Sequence, residues 1–179
     1  MGHNRTQPRL SRRGGVLSPL NEPWPVIRPA READTEAIWA MLEPVFRDGE
    51  TYCVARDISR DDALNYWTGR SHRVFVAEVN DVALGTYFLC PNQTGGGSHV
   101  CNCGFVTADA ARGKGVARAM LAHARATAKV AGYCSMQFNF VVSTNTRAIA
   151  IWQSHEFEMV GRLEGAFNSP RHGFVDALI

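Results

Sequence analysis

A chain of 179 residues, 45% hydrophobic and 20% charged, can bury one proper core and fits a single domain. Its formal net charge of +2 is too small for the concentrated basic face of a nucleic-acid binder. No apolar run nears the roughly 18 residues that span a bilayer, and the N-terminus lacks the apolar centre of a signal peptide, so a soluble, cytoplasmic protein is expected.

Residues 1–24 carry Arg5, Arg9, Arg12 and Arg13 among Pro8, Gly14, Gly15 and Pro19, the composition of a disordered, solvated arm. A nucleic-acid or membrane role for this arm is the weaker alternative. The folded domain is expected over 25–179. Val26–Arg28 reads as a short strand. Ile38, Met41, Leu42, Val45 and Phe46 recur at three and four, the stripe of an amphipathic helix, with Asp34 as its cap and Gly49 past its end. Ser59 opens a second helix, with Asp61 and Asp62 in the first turn, where the dipole favours negative charge.

From Arg73 the period changes to two. Arg73–Val79 and Val82–Cys90 read as strands joined by a tight turn at Asn80-Asp81. After a Gly95-Gly96-Gly97 loop, His99–Thr107 is the next strand, and a long helix is predicted from Gly113 to about Ala131. Then come a strand at Ser135–Val142, a helix at Thr144–Ser154, and strands at Phe157–Leu163 and Gly173–Ile179; the last pattern is still running when the sequence stops. The βαβ unit from His99 to Val142 makes its two strands parallel, behind an antiparallel meander. The fold class is mixed α/β. Five cysteines, an odd and scattered set, do not make a secreted disulfide framework. Cys101-x-Cys103 has no second Cys/His pair at zinc spacing, so buried thiols and no metal are expected.

The chemistry lies in Val106-Thr107-Ala108-Asp109-Ala110-Ala111-Arg112-Gly113-Lys114-Gly115-Val116-Ala117. This string passes from a strand into a glycine-containing helix start. Such a tip offers unpaired N–H groups and a partial positive charge to phosphates. A Walker loop fails, because Gly115 follows Lys114 and Ala108 stands where the first glycine belongs. A dinucleotide fingerprint fails because Arg118 replaces its third glycine.

Arg112-x-x-Gly115-x-Ala117 resembles the acyl-CoA signature Q/R-x-x-G-x-G/A of the GNAT superfamily of N-acetyltransferases. A second string, from Asn145 through Ala148 and Trp152 to Phe157, is similar to that superfamily's later motif, with Trp152 where tyrosine is commoner. The resemblance implies a mixed sheet of six to seven strands with a central splayed parallel pair, about four helices, and acetyl-CoA as co-substrate. It also implies that Phe105, Val106 and Thr107 pair with the pantetheine amides. Arg112, Gly113, Lys114, Gly115, Val116 and Ala117, with Arg118 adding charge, would hold the phosphates, and Asn145 and Trp152 would meet the pantetheine arm.

Trp152 has only an indole N–H, which is no useful acid for a departing thiolate. It is either an apolar wall or leaves that task to water, with His155 a lesser candidate. No carboxylate stands on the His99–Thr107 strand. Glu50 acting through water is the candidate base, beside its plain reading as a solvated loop residue. Asn102 poses a polar question on the same strand. Tyr52, Phe138 and Asn139 are the candidate substrate contacts, with Phe167–His172 as a further wall; Asn139, a polar residue in an otherwise apolar strand, is expected to be buried and so to need a partner. Phe138-Asn139 and the string after it are similar to acetyltransferases of L-azetidine-2-carboxylate. A small amine or amino acid is the preferred acceptor; a protein or peptide amine, or a non-catalytic acyl-CoA module, remains open, as does a homodimer.

Overall fold

The computed structural model describes residues 25–179, and the basic arm at 1–24 lies outside them. In chain order come β1 (Val26–Pro29), α1 (Thr35–Asp48), α2 (Arg60–Trp67), β2 (Arg73–Val79), β3 (Val82–Pro91) and β4 (Val100–Thr107). Then follow α3 (Val116–Val130), β5 (Ser135–Met136), β6 (Val141–Val142), α4 (Thr146–Gln153), β7 (Arg162–Ser169) and β8 (Gly173–Leu178). One sheet has the order β1-β2-β3-β4-β5 and a second the order β6-β8-β7. Only β4 and β5 pair in parallel, as the βαβ argument requires. The mixed α/β class with one parallel pair is as expected; that pair lies at the β5 edge of the first sheet, next to where the chain passes to the second.

Local chemistry explains the turns. Asn80 and Asp81 both have positive φ, 51° and 63°, the backbone that a two-residue hairpin needs to match strand twist. The Ser59 hydroxyl accepts the Asp62 N–H at 3.1 Å and so caps α2. Gly49, at φ 71°, closes α1 in the left-handed conformation that costs glycine least.

Alternation on the strands builds two cores. Phe75, Ala77, Tyr87 and Leu89 face α3, where they pack with Met120, Ala124 and Ala128. Val76, Phe88 and Cys90 face the other way, against Ile38, Leu42 and Phe46 of α1 and Trp67 of α2. One polar chain crosses this second core. The Trp67 indole N–H donates to Thr86 Oγ1 at 3.0 Å, and Thr86 donates onward to the Phe75 carbonyl at 3.0 Å. Both side chains are fully buried, so neither has water as a substitute. Thr86→Val keeps the shape and strands the indole N–H, and is expected to lower stability by about 1–3 kcal/mol. Chemical denaturation checks this; an unchanged midpoint contradicts it.

Four expectations are corrected. Asp34 precedes α1 but makes no cap bond. Its carboxylate accepts from Arg28 at 2.7 and 2.9 Å and from the Arg31 N–H at 2.6 Å, and the Arg28 hydrogen bonds hold its pKa down at about 2. The long helix starts at Val116, so Gly113 and Gly115 precede it rather than forming its first turn. The strand expected over Ser135–Val142 is broken at Gln137–Phe140, and its two ends join different sheets. The strand expected at Phe157–Leu163 lies at Arg162–Ser169 instead. There Glu156 turns the chain at φ 64°, and the Phe157 N–H bonds back to the Trp152 carbonyl at 3.1 Å. Phe157 therefore packs against the end of α4 rather than entering a sheet.

Candidate active site

The break at Gln137–Phe140 opens the site. Strands β4 and β5 share only the pairs Val100–Ser135 and Cys101–Met136, extended by the Gln137 N–H to the Cys101 carbonyl at 2.8 Å. Beyond that rung β4 runs on to Thr107, while the other chain departs to meet β8. The Asn102 side chain occupies the first unzipped position, its Oδ1 accepting the Cys103 N–H at 2.8 Å.

Residues of β4 alternate in the direction of their backbone groups. The Asn92 N–H reaches the Val100 carbonyl at 2.8 Å and the Ala108 N–H reaches the Leu84 carbonyl at 2.9 Å, so even-numbered positions serve β3. Cys103, Phe105 and Thr107 therefore turn theirs to the gap. The Phe105 carbonyl accepts the Tyr52 hydroxyl at 2.9 Å. The N–H groups of Phe105 and Thr107 and the Thr107 carbonyl have no hydrogen-bond partner among the described residues. They form an open strand edge, the kind of template an extended ligand can join. Val106 is corrected here: its backbone serves β3 and its side chain is 3% exposed, so it offers nothing to the gap.

At the end of this edge stands the tip of α3. The Lys114 N–H bonds to the Ala111 carbonyl, and the Ala119 N–H is the first to bond within the helix register, to Gly115. The N–H groups of Gly113, Gly115, Val116, Ala117 and Arg118 have no partner among the described residues. Gly113 and Gly115 both sit at φ 75°, and a Cβ built on either meets nothing within 4 Å. Open space therefore lies before a row of free donors at a positive helix end, and these residues fit a diphosphate. Lys114 and Arg118 are exposed beside it. Val116 is buried and offers only its N–H. Arg112 is less free than the motif suggests, since Asp109 holds its guanidinium at 2.7 Å.

The gap leads to a cavity of about 270 Å³ lined by Tyr52, Asn102, Phe105, Phe138, Asn139, Asn145 and Trp152, all singled out in the sequence. Trp152 stacks on Phe138 with centroids 4.5 Å apart and leans on Phe105 at 5.4 Å. The Trp152 ring is an aromatic wall. Asn145 caps α4, its Oδ1 accepting the Ala148 N–H at 3.2 Å. Asn139 is exposed rather than buried, and its Nδ2 donates to Asn92 Oδ1 at 2.5 Å.

Glu50 is not in the lining. Its carboxylate accepts the Ser169 hydroxyl at 2.7 Å and the Arg171 N–H at 3.1 Å, fastening the β7–β8 turn. The expected Phe167–His172 wall works through this fastening, not by lining the cavity. His155 lies elsewhere, its ring Nδ1 2.9 Å from the Ile151 carbonyl. It borders a larger groove of about 940 Å³ between the far ends of α3 and α4. That groove shares Phe138, Val141 and Trp152 with the cavity but has none of the free amides.

Sequence reasoning missed Cys53, Tyr66, Phe88 and Gly104 in the lining. Tyr66 lies beside the buried stripe of Ala63, Leu64 and Trp67 and is itself partly exposed, so helical periodicity does not mark it. Burial pushes the hydroxyls of Tyr52 and Tyr66 and the thiol of Cys53 up from their ordinary pKa values. Among the described residues no group of three or more His, Cys, Asp or Glu could hold a metal ion.

Known proteins share this fold. The sequence profile of the acetyltransferase (GNAT) family matches residues 30–157. The N-acetyltransferase aca1 of Schizosaccharomyces pombe is 35% identical over 97 residues, which is 54% of this chain and 46% of that protein; the match spans about half of the relative's length. A GCN5-related N-acetyltransferase from Kribbella flavida superposes with a TM-score of 0.81 at 36% identity, covering 86% of this chain and 94% of that one. The fold also matches yncA, a putative acetyltransferase from Salmonella typhimurium solved with its cofactor acetyl-CoA, at a TM-score of 0.75 and 21% identity over 86% of this chain and 90% of that one. With the profile spanning most of the folded region and the splayed pair and bare helix tip in place, the chain belongs to the acetyltransferase (GNAT) family.

Proposed function

We propose that the protein is an N-acetyltransferase that moves the acetyl group of acetyl-CoA to a primary or secondary amine of a small molecule. The observation that carries this reading is continuity. The free amides of Gly113, Gly115, Val116, Ala117 and Arg118 lead to the open edge at Thr107 and Phe105, and that edge leads to a cavity of about 270 Å³, a volume suited to a small acceptor. Family membership and the yncA complex support the choice of cofactor.

Acetyl-CoA supplies a thioester carbonyl already prone to attack by an amine. The tip of α3 grips its diphosphate, with Lys114 and Arg118 adding charge. Thr107 pairs with the pantetheine arm, and the Trp152–Phe138 stack walls it. The Phe105 N–H is the donor available to negative charge growing on the carbonyl oxygen. Because thiol pKa values lie near 8–9, the leaving sulfur needs no strong acid, and Trp152 in place of tyrosine is tolerable.

A panel of small amines with acetyl-CoA and a thiol reagent tests the reading. Release of CoA with some of them is expected; tight acetyl-CoA binding with no release on any amine would leave an acyl-CoA-binding module. Asn139→Ala is expected to raise the amine KM severalfold with little change in melting temperature, since Asn139 is exposed and bonded only to Asn92 and Gln137 side chains. Steady-state kinetics with thermal melting checks this. A fall in stability with KM unchanged makes Asn139 structural.

A further inference from the structure

Resting on the acetyl-transfer reading, we propose that the acceptor cavity holds no proton acceptor of its own and acetylates amines that reach it already uncharged, so that weakly basic amines are its substrate class. The lining is the basis. Among the described residues, no Asp, Glu, His, Lys or Arg lines the cavity. Its polar groups are the carboxamides of Asn102, Asn139 and Asn145, the hydroxyls of Thr51, Tyr52 and Tyr66, and two thiols. Carboxamides and alcohols do not take up protons near neutrality.

The remaining groups are held protonated. The Tyr52 hydroxyl spends its hydrogen on the Phe105 carbonyl, and burial raises both Tyr52 and Tyr66. Burial also raises Cys53, and a hydrogen bond with Cys101, then burial, raises Cys103. Behind the lining, the hydrogen bond with Cys103 lowers the Cys101 thiol, but Cys101 is fully buried, lies outside the cavity wall and donates to the Ser135 carbonyl at 3.3 Å. Among the described residues the other elements packed around the cavity add no base. On the α1 side Glu50 is fastened to Ser169 and Arg171, and Asp48 is paired with Arg171. Beyond α2, His72 lies flat on Phe88 at 4.1 Å with its Nδ1 2.9 Å from the Trp67 carbonyl. On α4, Arg147 is exposed.

The proton balance closes without a base if the amine enters neutral. Its lone pair forms the N–C bond, the C–S bond breaks, and the proton shed by nitrogen neutralises the departing thiolate. An ammonium brings one proton too many, and it also pays to leave water for a cavity with no opposite charge. An amine like that of lysine, with a pKa near 10.4, is about one part per thousand neutral at pH 7.4, whereas one with a pKa near 7.7 is about one third neutral. The second therefore gains roughly 300-fold in reactive concentration.

The test is the pH dependence of kcat/KM for several small amines whose pKa values span about 5 to 10, at saturating acetyl-CoA. The expected acid limb has unit slope and a midpoint that follows each amine's own pKa. A midpoint that stays the same from amine to amine, and lies below the pKa values of the more basic ones, reveals a base in the enzyme and overturns the proposal. Glu50→Gln is expected to leave these midpoints where they are; a limb that vanishes in this variant makes Glu50 that base and overturns it equally. If acetyl-CoA binds and no amine of any basicity releases CoA, the acetyl-transfer reading itself falls, a result distinct from a shared midpoint.

Discussion

Replacing Gly115 by glutamate is expected to weaken acetyl-CoA binding at least 100-fold while the domain stays folded. The backbone at Gly115 has φ 75°, and a side chain there costs about 1–2 kcal/mol. That cost is small beside the stability of a typical domain, about 5–15 kcal/mol. The ligand loses far more. The Cβ of residue 115 meets no atom within 4 Å apart from its own residue and those next to it along the chain, in the space that the free amides of Gly113, Val116 and Ala117 leave open. A carboxylate there meets the same donors as the diphosphate and repels it. Gly115→Ala carries the same backbone strain without the charge, so calorimetric titration of both variants separates strain from repulsion. Equal affinity in wild type and Gly115→Glu would place the cofactor elsewhere.

The second large effect is on the fold, through Gly104→Ala. A Cβ at position 104 falls 2.4 Å from Cε1 of Phe88. Phe88 cannot step aside, because His72 stacks on it at 4.1 Å and Trp67 packs edge-on at 5.0 Å. Strand β4 must shift instead. Overpacking of this kind costs about 1–3 kcal/mol, or roughly 2–12 °C in melting temperature for a chain of this length. Because Gly104 and Phe88 both line the cavity, activity is expected to fall with stability. Adding Phe88→Leu relieves the clash and recovers part of the loss. Thermal melting of the single and double variants checks this, and an unshifted melting temperature for Gly104→Ala contradicts it.

Residue periodicity shows the elements that bury one clean face and hides those shaped by the site. Strand β2 falls on its expected residues, since Phe75 and Ala77 alternate with Val74 and Val76 between two cores. Helix α1 follows its stripe for the same reason. The strand from Ser135 looks continuous because Met136, Phe138, Phe140 and Val142 alternate. What breaks it is tertiary: Phe138 turns to stack on Trp152, and Val141 and Val142 find a partner only in β8. Likewise Phe157, Met159 and Val160 read as a strand, yet Phe157 packs against Phe138 at 5.0 Å, and Met159 and Val160 stay exposed.

The bare tip of α3 was legible because glycine at two positive-φ positions before a helix leaves a sequence mark. The acceptor side was half legible. Tyr52 and Asn102 sit at the cavity, but the partners of Glu50 lie more than a hundred residues away in the chain, at Ser169 and Arg171, and no local pattern announces such a fastening. Asn139 was expected to be buried because strand alternation was carried through a segment that is not a strand.

If the free amides at the tip of α3 and along the open edge of β4 receive acetyl-CoA, their chemical shifts move when it binds. Titration of acetyl-CoA into nitrogen-15-labelled protein is expected to give large amide shifts at Gly113, Gly115, Val116, Phe105 and Thr107. Shifts confined to the groove between the far ends of α3 and α4, around Met136, Phe157 and Val160, with the tip amides unmoved, would contradict that placement.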